Sequence, residues 1–196
     1  MMSAERAAYE YLHGTSASTA LCTAQREHAL RVRDLVAEIG GVERDRVAAL
    51  LHEAFDHGLD PAEALGEEIS SRARDVADCL PDFLRHDETE IAARSERLMK
   101  SPVTIQILWL CDVIDTFESP IVRLTGMTDE EFEVTVAERC KAAQRLAQRC
   151  ANHPRFASLL ARARAAITDV AMKVRVKLLP MPPPKGSEGA DISPGM

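Results

Sequence analysis

The segment VAALLHEAFDHG, residues 47–58, places ionisable side chains inside an otherwise apolar run. His52 and Glu53 are adjacent, and Asp56 and His57 follow them about one helical turn later. Burying such groups costs several kcal/mol unless a charged partner or a metal ion compensates. The segment therefore predicts either a metal site or a polar patch that pairs internally, for example His52 with Asp56.

Two further ionisable residues lie on segments whose apolar spacing predicts buried helices. His28 comes one turn before the apolar stripe that begins at Val32, and Asp112 lies in ILWLCDVIDTFES, within the most apolar segment of the chain. Side chains from facing helices of a bundle can meet at one point, which is how metal sites are built in such folds. Two imidazoles and two carboxylates suit a borderline or hard divalent ion, which would polarise a phosphoryl oxygen. The predicted ligands are His28, His52, Glu53 and Asp112.

Helical patterns cover most of the chain and no segment predicts a strand, so the expected fold class is all-α. A first predicted helix ends at Gly40-Gly41. Further helices are predicted over about 44–58, 60–66, 67–79, 87–100 and 101–120, after Thr128 and from Pro154. Apolar stripes follow Val32, Leu35, Val36 and Ile39, then Val103, Ile107, Leu110, Ile114 and Phe117, then Phe156, Leu160, Ala163, Ile167, Val170 and Val174. Asp115 and Glu118 lie beside the second stripe and are predicted to be a solvated flank.

The helical pattern divides the chain into three predicted parts. Residues 1–125 form the domain that carries the candidate ligands, and residues 126–179 form a two-helix C-terminal extension. The extension either covers that domain or supplies a face for a homo-oligomer, because long apolar stripes must be buried somewhere. Residues 180–196 are rich in proline and hold almost nothing to bury, which predicts a disordered tail.

The composition narrows the class of protein. Five cysteines without a CxxC pair favour reduced thiols over a disulfide framework, and no apolar run approaches the roughly 18 residues of a membrane span. These features predict a cytoplasmic protein with no membrane partner. The net charge is −7 and no basic block occurs, which disfavours nucleic-acid binding. A small anionic ligand remains compatible, because a metal ion can hold it.

The order H…HE…D, in EHALRVRDLVAEIG, VAALLHEAFDHG and ILWLCDVIDTFES, resembles the HD-domain metal-dependent phosphohydrolases. The nearest resemblance is to the hydrolase domain of the RelA/SpoT alarmone enzymes and to the small alarmone hydrolases, over about residues 5–125. It implies an HD-domain-like helical bundle that binds one divalent metal, typically manganese. It also implies removal of the 3′-pyrophosphate of guanosine tetra- or pentaphosphate.

The resemblance assigns roles to the residues of the central motif. His28, His52 and Asp112 match metal ligands. Glu53 stands where the family has an aspartate, and its side chain is one methylene longer. Asp56 and His57 stand where the family has a Glu-Asp pair that activates the attacking water. His57 is therefore a candidate base or an extra ligand. The alternative is that its imidazolium only interacts with the dipole at the end of the helix.

The substrate-binding positions depart from the family pattern. HGTSASTALCTAQ, which precedes the first ligand, contains no Lys or Arg, whereas the family usually has a basic loop there that packs on the purine. Trp109 stands where the family tends to have Lys, and Thr116 stands where it tends to have an Asn that contacts the ribose. Trp109 is interpreted either as a platform that stacks on a base or as part of the core.

The leading hypothesis is a divalent-metal-dependent phosphohydrolase acting on a nucleotide-like phosphate ester or pyrophosphate, with a guanosine alarmone among the candidates. Mn²⁺ is the expected metal, with other divalent ions compatible, and Asp56 with His57 would orient or deprotonate the attacking water. The alternative is a catalytically degenerate HD-domain protein that binds a nucleotide or a protein as a regulator. A third hypothesis is a helical interaction protein that binds no metal.

Overall fold

The computed structural model describes residues 3–79, 88–119, 134, 137, 141–146 and 154–174. Within these residues the regular elements are α-helices and no strand occurs, which confirms the predicted all-α class. None of the helices in this part of the chain is both long and apolar enough to cross a lipid bilayer.

The helices follow the chain in a simple order. They are α1 (Ala4–His13), α2 (Thr15–Ala20), α3 (Thr23–Glu38), α4 (Glu43–Asp56), α5 (Pro61–Leu65), α6 (Glu67–Ala77), α7 (Glu88–Lys100), α8 (Val103–Glu118) and α9 (Pro154–Val174). Residues 141–146 are also helical. Predicted and observed ends agree closely where local capping decides them. At α5, for example, the Asp60 carboxylate accepts a hydrogen bond from the Ala62 amide and Pro61 is the first helical residue.

The turn between α3 and α4 depends on two glycines. Gly40 has a φ of 76°, a left-handed conformation that favours glycine. A Cβ on Gly41 would overlap the side chain of Val36, so the chain turns back tightly against α3. This turn brings α4 alongside α3. Together these two helices carry three of the four candidate ligands.

Helices α4 and α8 lie at the centre of the bundle. Helix α4 packs against α1, α3 and α6, while α8 packs against α3 and α9. Their apolar side chains belong to one continuous core. Leu110, Ile114 and Phe117 are buried as predicted, whereas the prediction is wrong at Val103, which is exposed because α8 begins at the surface.

The C-terminal part of the chain shares this core where it is described. Leu160, Ala163 and Ile167 of α9 are buried in the same cluster as the residues of α8. The predicted boundary at residue 125, most of the helix after Thr128, the side chains of Phe156, Val170 and Val174, and the tail over 180–196 lie outside the described residues.

Candidate metal centre

Four buried polar side chains from three helices converge at one point of the bundle. His28 comes from α3, His52 and Glu53 from α4, and Asp112 from α8. Each offers one donor atom, and these donor atoms all lie within 4.8 Å of one another. No member is more than 3% exposed to solvent. The structure thus brings together the four residues that the sequence predicted as ligands.

Both imidazoles direct Nε2 toward the same two carboxylates. Nε2 of His28 lies 2.9 Å from Oδ1 of Asp112 and 3.7 Å from Oε1 of Glu53. Nε2 of His52 lies 3.2 Å from Oε1 of Glu53 and 3.5 Å from Oδ1 of Asp112. Metal–ligand bonds of about 2.1 Å at tetrahedral or octahedral angles require neighbouring donors roughly 3.0–3.4 Å apart. The observed separations of 2.9–3.7 Å lie around this range, so small shifts of the side chains would let the donors share one divalent ion.

The orientation of His52 is fixed from within its own helix. Its Nδ1 lies 2.7 Å from the carbonyl oxygen of Ala49, one turn earlier on α4. Because a carbonyl oxygen only accepts, Nδ1 carries the hydrogen and donates it. Nε2 of the neutral ring is then left with its lone pair directed at the cluster, as a metal ligand requires.

The orientation of His28 is fixed by a carboxylate on another helix. Its Nδ1 lies 2.6 Å from Oδ2 of Asp115 on α8, and Arg31 of α3 binds the same carboxylate. Histidines that bind metals usually donate their second N–H to a carboxylate or a carbonyl in this way. Both ring nitrogens of His28 face carboxylates, so a proton on Nε2 would have to leave before a metal could bind there.

The predicted solvated flank of α8 is wrong at Asp115 and correct at Glu118. Asp115 is only 5% exposed because α3 packs over its side of α8, whereas Glu118 is exposed. One signal in the sequence indicates this contact. Asp115 follows Asp112 by three positions and Arg31 follows His28 by three, so each pair shares a helix face. If His28 meets Asp112 and the two helices run in the same direction, Arg31 is therefore expected to meet Asp115.

The two aspartates of α8 are held in the ionised form. Burial by itself raises the pKa of the Asp112 carboxyl, but the hydrogen bond from His28 and the neighbouring His52 imidazole outweigh burial and keep that pKa well below its ordinary value. For Asp115, burial likewise raises the pKa, and contacts with His28 and Arg31 lower it further than burial raises it. Asp112 is therefore available as an anionic ligand, and Asp115 as an anionic acceptor.

His57 lies at the outer edge of the cluster. It caps the C-terminus of α4, its side chain is 31% exposed, and its Nε2 is 3.9 Å from Oε2 of Glu53. The Gln25 amide nitrogen contacts the same ring atom from the first turn of α3. Asp56 is the last residue of α4, and its side chain lies outside the described part of the structure. The catalytic roles of Asp56 and His57 stay predictions.

The two residues predicted to bind substrate lie on α8 and are buried within the bundle. Trp109 is among the largest fully buried side chains and belongs to the apolar core, and Thr116 is buried as well. The placement of Trp109 agrees with its interpretation as a core residue. Substrate binding by Trp109 and Thr116 stays a prediction.

The cluster fits a divalent metal on three grounds. Its donor atoms lie within 4.8 Å of one another, both imidazoles are oriented by partners outside the cluster, and a carboxylate oxygen lies 2.9 Å from Nε2 of His28 and 3.2 Å from Nε2 of His52. Two nitrogens and two oxygens are compatible with several divalent ions, so the donor set leaves the identity of the metal open. Comparisons of the chain with protein-family models, with curated proteins and with solved structures found no match.

Proposed function

We propose that this chain is a divalent-metal-dependent phosphohydrolase of the HD type, acting on a nucleotide-like phosphate ester or pyrophosphate. One observation carries the proposal: His28, His52, Glu53 and Asp112 converge with both Nε2 atoms facing two carboxylates. The order of these residues along the chain, H…HE…D, adds support through the resemblance noted above. Mn²⁺ is the expected ion, and other divalent ions suit the same donors.

A bound divalent ion supplies Lewis acidity toward a phosphoryl oxygen and favours ionisation of water. The remaining chemistry belongs to the side chains of this protein. His57 lies next to Glu53 and is partly exposed, so it can accept a proton from water at the edge of the cluster. Because the four ligands are buried and the neighbouring His57 is partly exposed, a phosphate group would approach from this end of α4. Asp56 precedes His57 and would help to orient the attacking water.

We expect the substrate to be a compound other than a guanosine alarmone. Residues 13–25 carry no Lys or Arg that could neutralise phosphates or pack on a purine. Trp109 and Thr116 are buried in the bundle rather than lining an exposed surface. A compact phosphate ester or a short pyrophosphate fits these features better than a large purine nucleotide with several phosphates.

A second candidate function is that of a catalytically degenerate HD-domain protein that acts as a regulator. The burial of all four ligands favours it, because a catalytic metal keeps an open coordination position that the substrate can reach. In such a protein the ion would stabilise the bundle, and a nucleotide or a protein partner would bind elsewhere. The two candidates share the metal and differ in turnover.

The first experiment is metal-dependent thermal unfolding of the chelator-treated protein. Mn²⁺ at about 100 times its dissociation constant stabilises a folded protein by about 2.7 kcal/mol, which raises the melting temperature by roughly 5–10 °C at this chain length. We expect this shift in the wild type and in His13→Ala, whose histidine is exposed, but not in His52→Ala. A wild type that no divalent ion stabilises would overturn both candidates.

The second experiment measures phosphate release from p-nitrophenyl phosphate, inorganic pyrophosphate, nucleoside mono-, di- and triphosphates and guanosine tetraphosphate with Mn²⁺. Turnover that is abolished in His52→Ala and retained in His13→Ala supports the hydrolase. Stabilisation by Mn²⁺ without turnover on any of these compounds supports the regulator. Hydrolysis confined to guanosine tetraphosphate would contradict the expected substrate class.

A further inference from the structure

The His28 ring lies between two aspartates of the facing helix. On α3, Arg31 follows His28 by one turn, and on α8, Asp115 follows Asp112 by one turn. Nε2 of His28 is 2.9 Å from Oδ1 of Asp112, and Nδ1 is 2.6 Å from Oδ2 of Asp115. The ring is thus held at both nitrogens, and its two partners lie on opposite sides.

Asp115 is held in turn by a fork of hydrogen bonds. Nε of Arg31 donates to Oδ1 at 2.7 Å, and one terminal guanidinium nitrogen donates to Oδ2 at 3.1 Å. The Arg31 side chain is 43% exposed, whereas the carboxylate of Asp115 is buried. The carboxylate therefore has its position set by a group that reaches in from the surface. A two-point contact of this kind fixes orientation as well as distance.

We propose that Asp115, anchored by Arg31, is a positioning residue for the metal centre, and this inference rests on the metal function proposed above. Asp115 contacts Nδ1, the ring atom that faces away from the ligand cluster, so it orients a ligand rather than acting as one. It keeps the hydrogen on Nδ1, directs Nε2 at the ion and makes the ring a stronger donor. Arg31 fixes the orientation of this carboxylate through its two hydrogen bonds.

The test is Mn²⁺ affinity of the chelator-treated full-length protein, measured by calorimetric titration. Asp115→Asn is expected to weaken binding about 10–100-fold, the usual effect of removing such an outer partner. Glu118→Gln is the matched control, because it makes the same carboxylate-to-amide change on α8 at an exposed position. The control is expected to bind like the wild type.

Arg31→Lys separates geometry from charge. Lysine keeps the positive charge but lacks the fork, so we expect weaker Mn²⁺ binding than in the wild type, with a smaller loss than for Asp115→Asn. Arg162→Lys is the control, since Arg162 is 44% exposed and also binds a carboxylate through two nitrogens. A loss caused by long-range charge would disappear at high salt, whereas a loss of positioning persists.

A proton NMR measurement on the metal-free protein reports the same contact without any ion. The Nδ1–H proton of His28, hydrogen-bonded to a buried carboxylate, is expected far downfield in the wild type and in both controls. It is expected to shift upfield in Asp115→Asn and to change in Arg31→Lys. A purely structural role for Asp115 would lower the melting temperature without lowering the Mn²⁺ affinity of the folded protein.

The outcomes are distinguishable. If the wild type binds no divalent ion, the proposed function falls and the positioning role falls with it. If the wild type binds Mn²⁺ and Asp115→Asn binds it equally well, only the positioning role is overturned. If Asp115→Asn does not fold, Arg31→Lys decides, because the Arg31 side chain is 43% exposed and the variant keeps the positive charge. Wild-type affinity with an unchanged His28 signal in this variant overturns the proposal.

Discussion

Nε2 of His28 lies 2.9 Å from Oδ1 of Asp112, although the two residues are 84 positions apart in the sequence. Both side chains are buried, so each is a polar partner of the other when no metal is bound. Removing one partner of a buried pair leaves the other without compensation. The contact therefore links the stability of the metal-free bundle to the residues that would bind the ion.

Asp112→Asn is expected to destabilise the chelator-treated protein by about 1–3 kcal/mol, because an amide replaces a buried charged acceptor of similar shape. The same variant is expected to lose the stabilisation by Mn²⁺. Urea unfolding with and without Mn²⁺ measures both effects, with Glu118→Gln as the control. Equal stability of Asp112→Asn and the wild type would show that the His28–Asp112 pair contributes nothing to the metal-free bundle.

Glu53→Asp converts the central doublet to the form usual in HD-domain proteins. We expect weaker Mn²⁺ binding rather than stronger, because the packing of α4 fixes the backbone and the shorter side chain withdraws its carboxylate from both imidazoles. Titration of Glu53→Asp, Glu53→Gln and the wild type with Mn²⁺ checks this order. Affinity in Glu53→Asp that matches or exceeds the wild type would show that the helices rearrange to fit the shorter residue.

His57→Ala is expected to keep Mn²⁺ binding and to lower turnover by about 10²–10⁴-fold, the usual contribution of a general base. The reason is its position, because its Nε2 lies 3.9 Å from Glu53 at an edge of the cluster that reaches solvent. Titration with Mn²⁺ and the rate of phosphate release separate the two properties. Loss of Mn²⁺ binding in this variant would instead identify His57 as an additional ligand.

The cysteines of the described residues are expected to differ sharply in reactivity. Cys22 is exposed, whereas burial raises the pKa of the Cys79 thiol to about 11 and of the Cys111 thiol to about 12. Because the thiolate is the reactive form, iodoacetamide at pH 8 should modify Cys22 long before the other two. Peptide mapping by mass spectrometry measures each rate. Equal labelling of Cys22 and Cys111 would show that α8 is accessible in the native protein.

Ile167→Ala in α9 is expected to destabilise the whole protein by about 2–5 kcal/mol, since this side chain is buried in the core that α8 and α9 share. Arg162→Ala removes the exposed ion pair with Glu118 and should cost less than about 1 kcal/mol. Urea unfolding followed by circular dichroism compares the two variants. A separate early transition in Ile167→Ala would mean that α9 unfolds independently of the bundle.

Local signals predicted the helices well, because their ends depend on residues close in sequence. The Asp60-Pro61 start of α5 and the glycines after α3 are examples. The apolar periodicity predicted burial at Val103, where the side chain is exposed. Periodicity identifies a helix face but does not show how far the neighbouring helices extend along it. Within the described residues, the helices could be predicted from the sequence, whereas the burial of individual side chains depends on how the helices pack.

The candidate ligands could be named from the sequence only because their order resembled a known pattern. Nothing local to Asp112 indicates that it meets His28, since their contact depends on the packing of α3 against α8. The prediction of a solvated flank is wrong at Asp115 for the same reason. The charge of Asp115 favours exposure, and the matching offsets of Arg31 and Asp115 indicate their contact only once α3 is known to pack on α8.

The burial of the four candidate ligands also sets the rate at which an ion could enter or leave. Since the four ligands are at most 3% exposed, exchange would depend on local opening of the structure around them rather than on diffusion through an open cleft. An ion captured during folding would then persist through long dialysis, and a purified sample would carry the metal that was abundant when the chain folded. The metal found in a purified sample would then depend on the ions present during folding as well as on the affinity of the centre for each ion.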